Sequence, residues 1–320
     1  MKAHTWQSQS KDLFDYHARG HVTSSYKLQS DYYLVRTGDQ IRPVTNIGDY
    51  TDVLAKVHRE TGTAHTAGFS VLVDSNCSSD GIWLSTKFLK EGCHSLVRGE
   101  VVKLGEVVVE TIEVCSDSDD EDRTLPCDEP SLGPDEVCRV CYSDVSTGQD
   151  PLLAPCLCSG SMRYIHLSCL RRSLEGSLHT RSTPQAVTIG WKELKCAVCR
   201  AHIPPVLDQR GRRLYVVELP ASDKPHVVFQ ATGSDFHLLC SVALERGQEA
   251  TLGRSHDNDV MLPAGTVSRL HAKLKFEAGR FLVQDCDSRF GTVVQVASYY
   301  FDRQEVVGLQ MGRTLVTFTC

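Results

Sequence analysis

The sequence predicts a multidomain, mainly β protein in which a cysteine-rich module separates two β-rich segments. Three observations carry this. Seven of the fourteen cysteines crowd into residues 138–199 at short paired spacings. Residues 27–114 carry short β-branched runs rather than helical periodicity, and residues 212–320 have the same texture. At 320 residues the chain exceeds one small core, so about two or three domains are expected.

Composition narrows the function classes. Hydrophobic content of 41% and charged content of 23% are ordinary for a globular protein. A net charge of −6 argues against a general nucleic-acid binder, which needs a basic face. Residues 1–14 lack a basic start followed by an apolar stretch, so no signal peptide is expected. No eighteen-residue apolar window exists, so no membrane span is expected either. The simplest localisation is cytoplasmic, nuclear or both, where a disulfide framework would not persist. Clustered cysteines there point to metal.

In chain order, residues 1–26 read as an N-terminal tail and 27–114 as a β domain, with β-like runs at 70–74 and 101–109. Residues 115–135 are an acidic linker. Its run Ser116-Asp117-Ser118-Asp119-Asp120-Glu121-Asp122 repels itself and stays solvated, and Ser118 suits an acid-directed kinase. Residues 136–206 hold the zinc cluster and 212–320 a second β domain. There Ala272, Leu274 and Phe276 share one face, a turn falls at Ala278-Gly279, and Phe281 and Val283 continue the alternation as a hairpin. The two β segments look like distant copies. Residues 78–83 parallel 288–293, and Val101-Val102-Lys103-Leu104-Gly105 parallels Val307-Gly308-Leu309-Gln310-Met311-Gly312.

The ligand series is Cys138-x2-Cys141, Cys156-x-Cys158, His166-x2-Cys169 and Cys196-x2-Cys199. Zinc takes four thiolate or imidazole ligands in a tetrahedron, and a Cys-x2-Cys turn supplies two from one side. Eight ligands complete two closed sites, the mark of structural rather than catalytic zinc. A PHD finger has the same ligand order. Its spacing differs, because here seven residues separate Cys158 from His166 and Trp191 stands too far before Cys196. The run from Pro155 through Cys156-Leu157-Cys158-Ser159-Gly160-Ser161 to His166-Leu167-Ser168-Cys169-Leu170 resembles the RING-CH (RING-variant) family.

That resemblance implies cross-bracing, with Cys138, Cys141, His166 and Cys169 on one zinc and Cys156, Cys158, Cys196 and Cys199 on the other. It also implies a ubiquitin ligase without a nucleophile or catalytic residue of its own, acting by positioning a charged conjugating enzyme. Val140 and Leu170 match apolar docking positions, and Arg200 a cation that contacts ubiquitin and its carrier. Ser173 departs from the bulky apolar residue usual there, and Leu174 is the candidate to replace it. The alternative is a zinc-stapled docking platform without transfer activity.

Further on, Gly253-Arg254-Ser255, Asp257-Asn258-Asp259-Val260, Val267-Ser268-Arg269-Leu270-His271-Ala272 and Asp285-x2-Ser288-Arg289-Phe290-Gly291-Thr292 together resemble the forkhead-associated (FHA) domain. The resemblance implies a β-sandwich whose end loops bind phosphothreonine peptides. Arg254, Ser255, Ser268 and Arg269 would meet the phosphopeptide, and His271 would brace the loops. Phe290 stands where the family usually has Asn for the peptide main chain. The N-terminal segment resembles a degenerate copy, since Ile41-Arg42-Pro43 lacks the Gly-Arg pair. The expected whole is a cross-braced two-zinc RING-CH module flanked by two FHA-like β-sandwiches, similar to a group of protist proteins carrying both modules. The partners implied are a ubiquitin-conjugating enzyme and a phosphothreonine-containing protein; the alternative function is a non-catalytic phospho-dependent scaffold.

Overall fold

The computed structural model describes residues 1–6, 13–28, 30–48, 50–60, 68–73, 81–116, 136–209, 212–302 and 305–319. The acidic linker from 117 to 135, with Ser118, and the turn at 74–80 lie outside the described residues. The expected hairpin forms from strands Ala272–Glu277 and Arg280–Asp285, with Phe276 opposite Phe281. Ala278 and Gly279 turn at φ of 50° and 75°, the doubly positive geometry whose twist matches a two-residue hairpin. Alternation then buries Ala272, Leu274, Phe276, Phe281 and Val283 in one core.

The hairpin belongs to a two-layer sandwich. One sheet orders strands Val260–Met261, Glu249–Gly253, Ala272–Glu277, Arg280–Asp285 and Cys93–Ser95. The facing layer runs His237–Ala243, His226–Thr232, Val107–Cys115, Val101–Leu104 and Thr292–Gln295. Phe229, Val102, Leu104 and Val107 from this layer meet Phe276 and Phe281 from the other. Strands Cys93–Ser95, Val101–Leu104 and Val107–Cys115 precede the zinc module in sequence, yet they complete the sandwich that follows it.

The N-terminal sandwich shows the reciprocal arrangement. Strands Tyr32–Thr37, Gln40–Val44, Val53–Glu60 and Gly68–Val73 form a sheet closed by Ser298–Asp302. Facing them are Trp83–Ser85, Val307–Met311, Thr314–Phe318, Lys2–Thr5 and Val22–Ser25. Phe301, Leu309 and Val316 from the C-terminal region pack with Leu34, Ile41 and Leu54. The two halves cross where Trp83–Ser85 and Thr292–Gln295 lie antiparallel, Val293 against Ser85 and Val294 against Leu84. This pairing fuses both layers into one twelve-stranded sheet.

The expected boundaries at 27–114 and 212–320 therefore cut across strand pairings, and the expected tail at 1–26 contributes two strands. Sheet hydrogen bonds do not respect proximity in sequence, and two similar copies offer each other equivalent partners. The repeat itself is legible. Val101–Leu104 pairs with Thr292–Gln295 and Val107–Cys115, while Val307–Met311 pairs with Trp83–Ser85 and Thr314–Phe318. Each repeat occupies its equivalent place in the other copy's sandwich.

The zinc module joins edge-on. Strand Ala186–Trp191, paired with His179–Ser182, adds to His237–Ala243 from Ala186 opposite Val242 to Trp191 opposite His237. Ile165, Leu170, Leu174, Trp191, Leu194 and Ile203 form a core continuous with Ile112, Val228 and Leu239 of the adjoining strands.

Exchange is tested by a covalent link. Leu72 and Ser298 are exposed cross-strand partners. Oxidising a Leu72→Cys/Ser298→Cys chain is expected to yield a 72–298 disulfide peptide from the monomer, read by mass spectrometry. Without exchange, residue 298 would sit beside its own copy's strand Arg280–Asp285, and the monomer would yield no such peptide.

Candidate zinc module and phosphopeptide site

Two identical knuckles present the outer ligand pairs. In the first, Cys138 N–H donates to Ser143 O and Tyr142 N–H to Cys138 O; in the second, Cys196 N–H donates to Ala201 O and Arg200 N–H to Cys196 O. Tyr142 and Arg200 close these turns at φ of 61° and 62°. The short hairpin Leu152–Leu153 with Ile165–His166 delivers His166, and helix Leu167–Leu174 carries Cys169. The result is two groups, Cys138, Cys141, His166 and Cys169, and Cys156, Cys158, Cys196 and Cys199, each with ligand atoms within 4.8 Å of one another.

The donor sets fit zinc. Cys158 and Cys196 sulfurs lie 3.8 Å apart, and a tetrahedron with Zn–S bonds of about 2.3 Å has an edge of about 3.8 Å. His166 Nε2–H donates to Val145 O at 2.9 Å, leaving Nδ1 facing Cys141 Sγ at 3.2 Å. That outer bond fixes the tautomer a metal ligand requires. Burial opposes ionisation of Cys138, but N–H donors from Cys141, His166 and Val140 outweigh it and bring the thiol down to about 6. Cys196 behaves alike, burial being outweighed by Cys199 and Val198 N–H groups, and also falls to about 6. Burial and then neighbouring thiols push Cys169 up to about 11 and Cys158 up to about 12. Cys199 is also lowered, chiefly by the Ala201 N–H, so each tetrad mixes thiols that ionise readily with one that resists, and a bound divalent ion favours the thiolate form of all of them. The two tetrads are the ligand sets of two structural zinc ions, paired in the cross-braced order.

Arg139, inside the first site's knuckle, reaches across to the ligands of the second site. Its guanidinium donates to Cys156 Sγ and Cys196 Sγ at 3.6 Å each and to Met162 O at 2.8 Å. A cation between two ligand cysteines is the sequence signal for this role. Of the expected docking residues, Val140 is 49% exposed and Arg200 is exposed. Leu170 is a correction: it is 1% exposed and belongs to the module's core. Leu174, 5% exposed, cannot stand in for Ser173 on the surface either. Both lie on the helix face that packs onto the sheet, whereas Ser173 is exposed and donates its hydroxyl to Leu170 O at 2.7 Å. Val198, the counterpart of Val140 in the second knuckle, is 54% exposed and was not singled out by sequence.

At the end of the second sandwich a concavity of about 700 Å³ is lined by Arg254, Thr266, Ser268, Arg269, Arg289 and Phe290, among others. Gly253 is required because a Cβ there would collide with the Arg269 carbonyl. That close approach lets Arg254 N–H donate to Ser268 O at 2.9 Å while Arg254 Nε donates to Val267 O at 3.2 Å. Buried Asn258 donates to Ser255 O and Arg269 O at 2.9 and 2.7 Å, and Asp285 accepts from Ser288 and Thr292 hydroxyls at 2.6 and 2.8 Å. Ser255 is not among the lining residues; its hydroxyl donates to Asp257 at 2.9 Å.

His271 braces the loops as expected. Ser268 N–H donates to Nδ1 at 3.1 Å, so Nε2 carries the proton and reaches Gly291 O at 3.1 Å. Arg289 adds a cation that motif reading passed over. Its Nε and Nη2 both donate to fully buried Asp15 at 2.8 Å, so the N-terminal segment aims it. Exchanged strands support the site too: Gly105 turns at φ 61° where a Cβ would stand 2.7 Å from Thr266 O, and Glu106 N–H donates to Thr266 Oγ1 at 3.0 Å. From the zinc module, Arg181 donates to the carbonyls of His256, Asn258 and Asp259 at 2.8–2.9 Å.

Two measurements check this account. Chelation of zinc, or Cys196→Ser, is expected to abolish the cooperative unfolding transition of the module, followed by near-ultraviolet circular dichroism at Trp191. Burial holds His271 below its ordinary 6.5. The unfolded chain therefore takes up a proton first on acidification, so its contribution to stability is complete above about 6.5 and declines as pH falls below it. The denaturant midpoint is expected to drop between pH 7 and the lower folded value, and His271→Gln to flatten that slope.

Residues 138–199 match the RING-variant domain and residues 250–303 the FHA domain. The E3 ubiquitin-protein ligase MARCHF7 of Mus musculus is 29% identical over 84 residues, 26% of this chain and 10% of that protein. MARCHF1 of Homo sapiens is 36% identical over 42 residues, 13% of this chain and 14% of that protein. MARCHF6 of Homo sapiens is 44% identical over 43 residues, 13% and 5% of the two chains. The chain spans about a tenth of the length of these curated relatives. With both ligand tetrads formed and both domain models matched, the chain carries a RING-variant (RING-CH) zinc domain and an FHA domain on a mainly β framework.

Proposed function

We propose that the chain is a RING-type ubiquitin ligase that engages a ubiquitin-conjugating enzyme through its zinc knuckles and selects phosphothreonine-containing targets through the FHA concavity. The observation that carries the first half is the pair of closed zinc sites whose knuckle tips expose aliphatic side chains, Val140 in the first and Val198 in the second, which also exposes the cation Arg200. A closed tetrahedron offers no position for substrate, so its chemistry is to hold a docking surface rigid. Transfer then depends on positioning the partner's thioester, an effect worth several kcal/mol of barrier. The MARCHF relatives, which are named as E3 ubiquitin-protein ligases, support the same reading.

The second half rests on Arg254, Arg269 and Arg289 around one concavity, with Ser268 between them. Guanidinium groups suit a doubly charged phosphate, and the Ser268 hydroxyl supplies a further donor while its oxygen accepts Arg289 N–H at 3.1 Å. Phe290 gives the peptide a ring in place of an amide; its centroid lies 6.3 Å from that of Trp6. A non-catalytic scaffold is favoured by one observation: Ser173 is exposed while Leu170 and Leu174 are buried, so the helix contributes no large apolar side chain at these positions to docking.

Purified with activating enzyme and a panel of conjugating enzymes, the chain is expected to ubiquitinate itself. Val140→Asp is expected to reduce the rate on the order of tenfold or more with the fold intact, and Cys138→Ser to abolish it. No transfer with any conjugating enzyme would leave the scaffold reading. Arg254→Ala is expected to weaken binding of a phosphothreonine peptide library by about 10- to 100-fold, the value of a charge-assisted hydrogen bond, without altering the zinc content.

A further inference from the structure

Outside the two zinc tetrads, Glu113, Cys115 and His226 bring ligand atoms within 4.8 Å of one another. Their placement follows from strand geometry. Glu113 and Cys115 are two apart on Val107–Cys115 and share a face, and His226 is the direct cross-strand partner of Cys115. A bulge between Thr111 and Glu113 shifts the register just before this point, the device by which strands re-aim side chains at sites. Val114 packs on the sandwich core, so Glu113 and Cys115 face the side where Tyr215 joins the zinc module's core.

We propose that Glu113, Cys115 and His226 form a third divalent-metal site, for zinc, that clasps the two ends of the insertion bearing the RING-variant domain. The donor set is one thiolate, one imidazole and one carboxylate, the mixture that zinc favours over magnesium or calcium. Its charge is balanced: thiolate and carboxylate together neutralise a dication, and the imidazole stays neutral. The outer partners needed to orient ligands are in place. His226 Nδ1–H donates to Lys224 O at 3.0 Å, which leaves Nε2 as the donor. The Tyr215 hydroxyl donates to Glu113 Oε2, leaving Oε1 beside Cys115 Sγ at 3.2 Å. Such outer-shell contacts are the usual accompaniment of bound metal. Water completes the tetrahedron at this half-exposed position.

The clasp has a structural purpose. Cys115 ends the last strand before the insertion, while Tyr215 and His226 lie where the chain returns. An ion across them closes a loop of about a hundred residues, and closing a long loop removes unfolded-state entropy as a disulfide does. It does so in a form compatible with a reducing compartment.

The test counts metal in the full chain. After equilibration with buffered zinc and gel filtration, atomic emission is expected to find about three zinc ions per chain, two of them held by the RING-variant tetrads. Cys115→Ser and His226→Ala are each expected to return about two. Glu113→Gln keeps the side chain's size; it is expected to weaken the third equivalent by on the order of tenfold or more while the circular dichroism spectrum stays unchanged. With cobalt substituted for zinc, loss of the third equivalent in Cys115→Ser is expected to remove one thiolate's share of the charge-transfer absorption. Two zinc ions in the unaltered chain would overturn the proposal. So would a third ion retained in both Cys115→Ser and His226→Ala, since it would then sit elsewhere.

Discussion

Everything in this molecule depends on one antiparallel contact, strand Trp83–Ser85 against strand Thr292–Gln295. Neither sandwich is complete without strands from the other segment, and this short pairing is the crossing at which the two sandwiches trade strands. The exchange covers one side of two strands, Gly68–Val73 by Ser298–Asp302 and Arg280–Asp285 by Cys93–Ser95, that would otherwise present open edges. Its energetic weight lies in the cores it joins: Phe301, 1% exposed, sits with Phe69 and Phe318 although its own copy is the other sandwich. Exchange also ties function to both halves. Thr266 rests on the turn at Gly105, and Arg289 is aimed by Asp15, so the FHA concavity is built from both halves of the chain.

The zinc module is not a bead on a flexible string. Strand Ala186–Trp191 extends the shared sheet, and the module's core runs on into Ile112, Val228 and Leu239. Arg181 reaches across to three carbonyls of the loop that follows Gly253. On the proposed reading, a phosphopeptide held in the concavity and a conjugating enzyme held at the knuckles would have a fixed mutual orientation. Reach toward lysines of the target is then set by the target's own geometry rather than by a mobile tether.

How far this was legible in the sequence follows from the range of each interaction. Zinc ligands are read well because a tetrahedron demands short local spacings, and all eight of Cys138, Cys141, Cys156, Cys158, His166, Cys169, Cys196 and Cys199 take their expected places. The 272–285 hairpin is local and equally plain. The resemblance between 101–105 and 307–312 revealed a repeat, but not its exchange, because both copies carry strands that fit either sandwich. Strands of four residues such as Lys2–Thr5 are too short for periodicity to declare them. Leu170 was misplaced for a related reason: on an eight-residue helix, one apolar face serves the core, and only the packing partner says which. Arg181 and Arg289 act through contacts distant in sequence, where a motif has nothing to say.

Lys2 lies opposite Thr317 in the sheet. Nearly all of the described strands lie between these two residues in sequence, so the first sandwich cannot seal until strand Thr314–Phe318 has been made. Its early strands must wait as an open half-core through synthesis of the linker, the zinc module and the whole second β segment. Contacts of such long sequence separation fold slowly, and an open sheet edge in the interval invites neighbours on the same polysome. The local metal knuckles are the natural early event, and closure of the first sandwich is timed by strand Thr314–Phe318.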